Sequence, residues 1–303
     1  MSVRRVYLLL IMASLFWSGA FITGKFAVRE FPPFGLTFFR FFLALPFVFL
    51  IMYRQQPSDW LPSRDEWRPF ITLGIIGTFC YHAFFFACLQ YTTAINASLI
   101  GAVNPIITAL LAAIFLGDKI GMTRLAGFVL SFAGVFAVIT NGDYQIISQL
   151  RINKGDLLML AAICCWAVYS LLSRRAMQKY SLSPRKVTAY TFLVCTIVSL
   201  PFAISEQPLQ YLPLVSVAGW GSVLYMTLFA SVLGYLFHLI AVSKIGASRS
   251  AVFVNLVPVF TIGQAWYFLG EPVTIFKLIS AGMVISGVYL AVQPPTEPGQ
   301  RLK

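Results

Sequence analysis

The sequence predicts an all-α polytopic membrane protein, with ten transmembrane helices arranged as two inverted five-helix repeats. Three observations predict it. The 303 residues are 59% hydrophobic and 11% charged, with a mean hydropathy of +0.82; a soluble domain carries about 25% charged residues. The apolar residues come in runs of about 20, the length that crosses a hydrocarbon core. One phrase is also written twice, IFLGDKI at 114–120 and YFLGEPV at 267–273, with Gly117 and Gly270 standing 153 residues apart.

Ten runs qualify as spans: 6–24, 35–53, 70–90, 94–116, 123–140, 156–173, 187–205, 218–242, 246–269 and 275–292. The first follows Arg4 and Arg5 and has the outline of a signal peptide. Nine more come after it, so it is expected to stay as an uncleaved helix.

With the N-terminus inside, alternate loops carry 16 Lys and Arg inside and 5 outside, with Arg40 left within a span. Basic residues set topology, so both termini are expected in the cytoplasm and the chain in the plasma membrane, the inner membrane of a bacterium. The net charge of +12 is spread between apolar runs, which topology explains and a nucleic-acid partner does not. Cys80, Cys88, Cys164, Cys165 and Cys195 all fall inside apolar runs without a CxxC. Neither a disulfide framework nor a metal site is expected, and no cofactor.

Sliding 94–140 onto 247–293 without gaps brings Pro105 onto Pro258 and Thr108 onto Thr261. It brings Asp118 onto Glu271, Arg124 onto Lys277 and Gly134 onto Gly287. A weaker echo joins Ala13, Trp17 and Lys25 to Ala162, Trp166 and Arg174. The repeats are placed at 6–140 and 156–292. Five spans is an odd number, so the second copy enters from the opposite side, the plan of many secondary transporters. The repeated acids read as joint residues. Glycine caps a helix in the left-handed conformation, and an acid suits the N-terminal dipole of the next helix. Asp118 and Glu271 are expected at opposite faces, which excludes a catalytic pair.

These residues carry a family resemblance: ASLIGAVNPIITALLAAIFLGDKI at 97–120, GASRSAVFVNLVPVFTIGQAWYFLGEPV at 246–273, LFWSGAFITGK at 15–25 and FFRF at 38–41. The chain resembles the drug/metabolite transporter superfamily, in its ten-span type with two EamA domains, over about residues 6–292. The resemblance implies a central cavity between the halves, lined by spans 1, 3, 4, 6, 8 and 9, with spans 5 and 10 peripheral. It implies movement of a small metabolite, often an amino acid outward, and no enzyme activity.

Candidate residues emerge from their depth. Asn104 and Asn255 stand beside the mid-span prolines Pro105 and Pro258, which remove backbone hydrogen bonds and suggest hinges. Trp17 and Trp166 lie well inside their spans, where an indole can stack on a substrate and donate a hydrogen bond; packing or lipid contact is the other reading. Tyr169 shares the Trp166 face. Tyr81 and His82 lie mid-span in the third helix, Tyr235 and His238 in the eighth. A mid-membrane histidine can carry a proton; His238 is expected instead to be neutral and hydrogen-bonded to a neighbouring helix. Arg40 is expected to snorkel or to play an architectural part. Lys25 and Arg174 are expected to anchor at the interface. The stripe Gly127–Ser131–Gly134 admits close helix contact, within one subunit or between two copies of a homodimer.

No Asp or Glu lies deep in a span, which argues against a strong proton antiporter. The expected partners are the lipid bilayer and a small neutral or zwitterionic substrate. An anionic metabolite (a sugar phosphate, nucleotide sugar or organic acid) is the alternative cargo, with Arg40 its single deep candidate ligand. An intramembrane lipid-modifying enzyme would need clustered His and acids, and no HExxH or Ser-His-Asp set is visible. A non-transporting scaffold or sensor would leave the paired prolines without a purpose.

Overall fold

The computed structural model describes residues 3–55, 60–116, 121–140, 153–245 and 253–292. The joint around Gly117 and Asp118, the opening of the ninth span and the side chains of Arg124 and Arg174 lie outside what is described.

The expected spans are helical where described. The first is Val3–Ala27, the second Pro33–Gln55, the third Trp67–Tyr91, the sixth Lys154–Lys179, the seventh Pro184–Ser205 and the eighth Val217–Ile245. The fifth is Met122–Thr140, and the tenth is Ile275–Val292. Among the described residues, six helices are long and apolar enough to cross a membrane, and four shorter apolar helices accompany them. Large side chains such as Phe42, Phe47, Leu50, Ile197 and Ile204 point outward. Water would penalise such a surface, and lipid accepts it.

Spans pair across the two halves: fifth with tenth, second with seventh, third with sixth, and first with eighth. Each pair maps onto itself or onto another when the halves are exchanged, as a two-fold relation between repeats requires. Second and seventh also carry a proline each, Pro46 and Pro201, inside the helix.

The fifth–tenth contact answers the glycine stripe. A Cβ on Gly134 would lie 2.9 Å from the backbone nitrogen of Val284, and one on Gly287 would lie 2.7 Å from the Gly127 carbonyl. The stripe is filled within one chain by the tenth span.

The fourth and ninth spans are broken. The fourth runs Ala94–Gly101, breaks at Ala102 and Val103, and resumes as Asn104–Leu116. The ninth resumes as Leu256–Leu269 behind Asn255. Pro105 and Pro258 therefore stand in the first turns of new helices, where a missing N–H leaves no bond unmade. The sequence expectation placed the prolines inside continuous helices; the breaks come just before them.

Candidate functional site

Two segments are wound more widely than an α-helix. Gly74–Cys80 in the third span and Met226–Leu233 in the eighth are π-helical, and they occupy matching places in the two halves. A π turn inserts a residue and rotates the side chains beyond it. Tyr81 and His82 come directly after the first; Tyr235 and His238 come after the second.

The rotated residues meet in one aromatic cluster. Tyr81 lies 5.0 Å from Trp166 between ring centroids, and Trp166 lies 5.2 Å from Tyr169 and 5.8 Å from Tyr235. Tyr235 meets Trp17 at 6.1 Å, and Trp17 meets His238 at 5.2 Å. These are contact distances for rings. Spans 1, 3, 6 and 8 thus join at the interface of the halves. Close approach is built in, since a Cβ on Gly77 would lie 2.1 Å from the Tyr169 ring. The two surface recesses described lie elsewhere, one along Phe42–Phe49 and one between Arg68 and Tyr180.

Several candidates have partners the sequence did not disclose. The Trp17 Nε1–H donates to the Ala230 carbonyl at 3.0 Å, inside the eighth-span π segment. His82 is 2% exposed, and its Nδ1 lies 2.7 Å from the Thr78 carbonyl. A carbonyl only accepts, so Nδ1 carries the hydrogen. The buried His238 Nδ1 has no partner among the described residues, so that nitrogen does not make the expected bond to a neighbouring helix. Lys25 also has partners far away in sequence. It turns inward, and its Nζ donates to the Leu89 and Thr92 carbonyls at 2.7 Å each, capping the third span's C-terminal end.

Arg40 does not snorkel, and no acid among the described residues pairs with it. It is 3% exposed, and its Nε donates to Ser231 Oγ at 2.8 Å. Its backbone carbonyl accepts from Thr227 Oγ1 at 3.1 Å. The guanidinium lies 5.5 Å from the Phe41 ring and 5.8 Å from the Phe86 ring.

Asn104 and Asn255 stand apart from the ring cluster; no hydrogen bond or ring contact joins them to it among the described residues. Asn104 Oδ1 accepts from Thr108 Oγ1 at 3.0 Å. Asn255 Oδ1 is buried without a partner among the described residues. The first and ninth spans are stitched nearby, by Ser14 Oγ donating to the Phe253 carbonyl at 2.7 Å and Gln264 Nε2 donating to Ser18 Oγ at 2.9 Å.

One end of the bundle is closed by carboxylates that reach between the halves. Glu271 accepts from the Ala94 and Ile95 N–H groups at 2.7 and 3.1 Å. Glu206 accepts from Gly35 and Phe34 at 2.7 and 3.2 Å. Glu30 accepts from the Ser216 N–H at 2.6 Å and from its hydroxyl at 2.8 Å. Asp156 accepts from Thr92 Oγ1 at 2.5 Å. Burial pushes the Glu206 carboxyl above its ordinary range, against the opposing pull of the two N–H groups. The Glu271 geometry corrects the joint reading: the acid caps a helix of the other half, not the helix next to it in the chain. Away from that end, Lys186 pairs with Glu66 at 3.0 Å. Among the described residues no group of three His, Cys, Asp or Glu side chains could hold a metal.

Comparison with known proteins agrees with this architecture. The EamA-like transporter family model matches twice, at residues 4–140 and 153–293. The uncharacterized transporter YyaM of Bacillus subtilis is 34% identical over 94% of this chain and 93% of its own. A "Probable amino-acid metabolite efflux pump" of Salmonella typhimurium is 27% identical over 95% of each. A solved crystal structure aligns over 96% of this chain and 97% of its own with a TM-score of 0.66 at 20% identity, which shows a shared fold.

Proposed function

The chain belongs to the EamA-like transporter family, and on that premise we propose that it exports neutral or zwitterionic metabolites, amino acids with apolar or aromatic side chains among them. One observation carries the reading: the ring cluster of Trp17, Tyr81, Trp166, Tyr169 and Tyr235 stands between the two halves. Parted, these rings make a wall that stacks on apolar and aromatic groups, with phenol hydroxyls to orient polar ones. The efflux-pump name of the Salmonella relative supports the same substrate class.

Transport proceeds by alternating access. The halves rock about the broken fourth and ninth spans, where Pro105 and Pro258 restart the helices and Asn104 and Asn255 offer polar contacts. His82 and His238 lie beside the rings, against Tyr81 and Trp17. The carboxylate-capped end releases when the halves separate there.

The test is efflux from proteoliposomes loaded with mixed amino acids, read by mass spectrometry, with a pH dye inside. Apolar and aromatic amino acids are expected to leave faster than from empty liposomes. Equal rates for every amino acid would overturn the reading, and the dye separates a facilitator from a proton-coupled carrier.

A further inference from the structure

We infer that Arg40 is the anchor for a carboxylate on the transported compound, an inference that rests on the transport reading and narrows its substrate class. The starting point is an unbalanced charge. Arginine stays protonated in proteins, and a charge taken from water into a membrane-buried core is costly unless it is paired. Arg40 is 3% exposed, so it is almost wholly withdrawn from bulk water. Lys186–Glu66 is the ion pair found among the described residues, so no acid among them neutralises Arg40.

The way Arg40 is held leaves one edge open. Ser231 takes the Nε–H, Thr227 fixes the backbone carbonyl, and Phe41 and Phe86 flank the guanidinium. No protein acceptor meets the four N–H bonds of the two Nη atoms among the described residues. That pair of nitrogens forms the planar fork that matches two carboxylate oxygens. A purely architectural arginine would be expected to fill those donors with carbonyls, as Lys25 does with Leu89 and Thr92.

The fork also lies beside the ring cluster. Phe41 meets His82 at 4.6 Å, His82 meets Tyr81 at 4.7 Å, and Tyr81 meets Trp166 at 5.0 Å. A carboxylate on Arg40 places the rest of a small molecule against Tyr81, Trp166 and Tyr235. One guanidinium balances one carboxylate and falls short of a phosphate dianion. The substrate is thus a monocarboxylate with an apolar or aromatic body, and its ammonium group is secondary.

The test uses the purified full chain in detergent and measures thermal unfolding against three probes. These are L-phenylalanine, 3-phenylpropionate without the ammonium, and phenethylamine without the carboxylate. The two carboxylates are expected to raise the midpoint at about 10- to 100-fold lower concentration than the amine, the range of one charge-assisted hydrogen-bonded contact. Arg40→Gln is expected to remove the difference between probes. Equal protection by amine and carboxylates overturns the anchor, whatever the efflux assay shows. So does protection by none of them. Protection by 3-phenylpropionate in a chain that exports no amino acid upholds the anchor and overturns the amino-acid reading. Because the three probes are compared on the native chain, a misfolded Arg40→Gln leaves the test intact.

Discussion

Glu271 caps the helix that opens at Ala94, its two oxygens accepting from the first backbone N–H groups of that helix at 2.7 and 3.1 Å. The two residues belong to different halves of the chain. A carboxylate is well placed there, because a helix N-terminus leaves N–H groups unpaired and carries partial positive charge. Glu206 does the same for the second span, through Phe34 and Gly35. The closed end is therefore fastened by charge on backbone, with few side-chain pairs to tune.

Replacing Glu271 by Ala leaves both N–H groups without acceptors. The expected loss is about 1–3 kcal/mol, read as a lower midpoint in thermal unfolding of the detergent-solubilised chain. Glu271→Gln keeps one acceptor and should lose less. If this cap is also a gate, a cysteine placed at Ala94 reacts faster with a water-soluble maleimide in the Glu271→Ala background. An unchanged midpoint together with unchanged labelling would show that the cap holds nothing.

The pH dependence at Glu206 has a definite sign. Burial raises its carboxyl above the ordinary value of 4.5 in the folded chain. The folded state therefore binds its proton more tightly than the unfolded state does. Its contribution is fully present below 4.5 and is lost as pH rises through the raised folded value. Measured against Glu206→Gln, which cannot titrate, the native chain should lose relative stability across that window. A relative gain with rising pH would mean that the Gly35 and Phe34 N–H groups outweigh burial.

Gly77 tests the aromatic packing. A methyl group there would meet the Tyr169 ring at 2.1–2.3 Å, and the nearby atoms include the stiff Cβ of Tyr169. Gly77→Ala must push the sixth span away or turn Tyr169 out. Overpacking of this kind costs about 1–3 kcal/mol. Efflux should fall as well, since Trp166 moves with Tyr169. Gly77→Ala with Tyr169→Ala should recover stability but not transport. Full transport in the single variant would remove this cluster from the pathway.

What the sequence disclosed and what it hid divide along physical lines. Run length exposed every span, because the bilayer sets that length. Pro105 and Pro258 marked the broken helices, although the breaks lie two to three residues before the prolines. The π segments left no trace, because a uniformly apolar run reads alike at any helical period. Tyr81, His82, Tyr235 and His238 could thus be named from depth, but their meeting with Trp17 and Trp166 could not. Glu30, Glu206 and Glu271 were hidden for another reason. Their partners are backbone N–H groups or a serine hydroxyl far away in sequence, which no residue pattern announces. Gln264 and its bond to Ser18 were missed because a lone glutamine in an apolar helix gives no partner to look for.

Asn255 and Asn104 separate a polar group held for function from one held for the fold. Asn255 Oδ1 is buried and has no partner among the described residues, and a buried orphan atom lowers stability. Asn104 Oδ1 is satisfied within its own helix by Thr108. Asn255→Leu removes the orphan atom and should leave thermal stability unchanged or raise it by about 1 kcal/mol. Asn104→Leu frees the Thr108 hydroxyl and should be neutral or mildly destabilising. If the two residues serve transport at the broken spans, efflux falls in both variants while membrane insertion is retained. Parallel measurement of midpoint and efflux decides the matter. A more stable Asn255→Leu chain with reduced efflux marks a group kept at the expense of the fold. Undiminished efflux in both variants would take the asparagines out of the transport path and leave the rings and Arg40 to account for recognition.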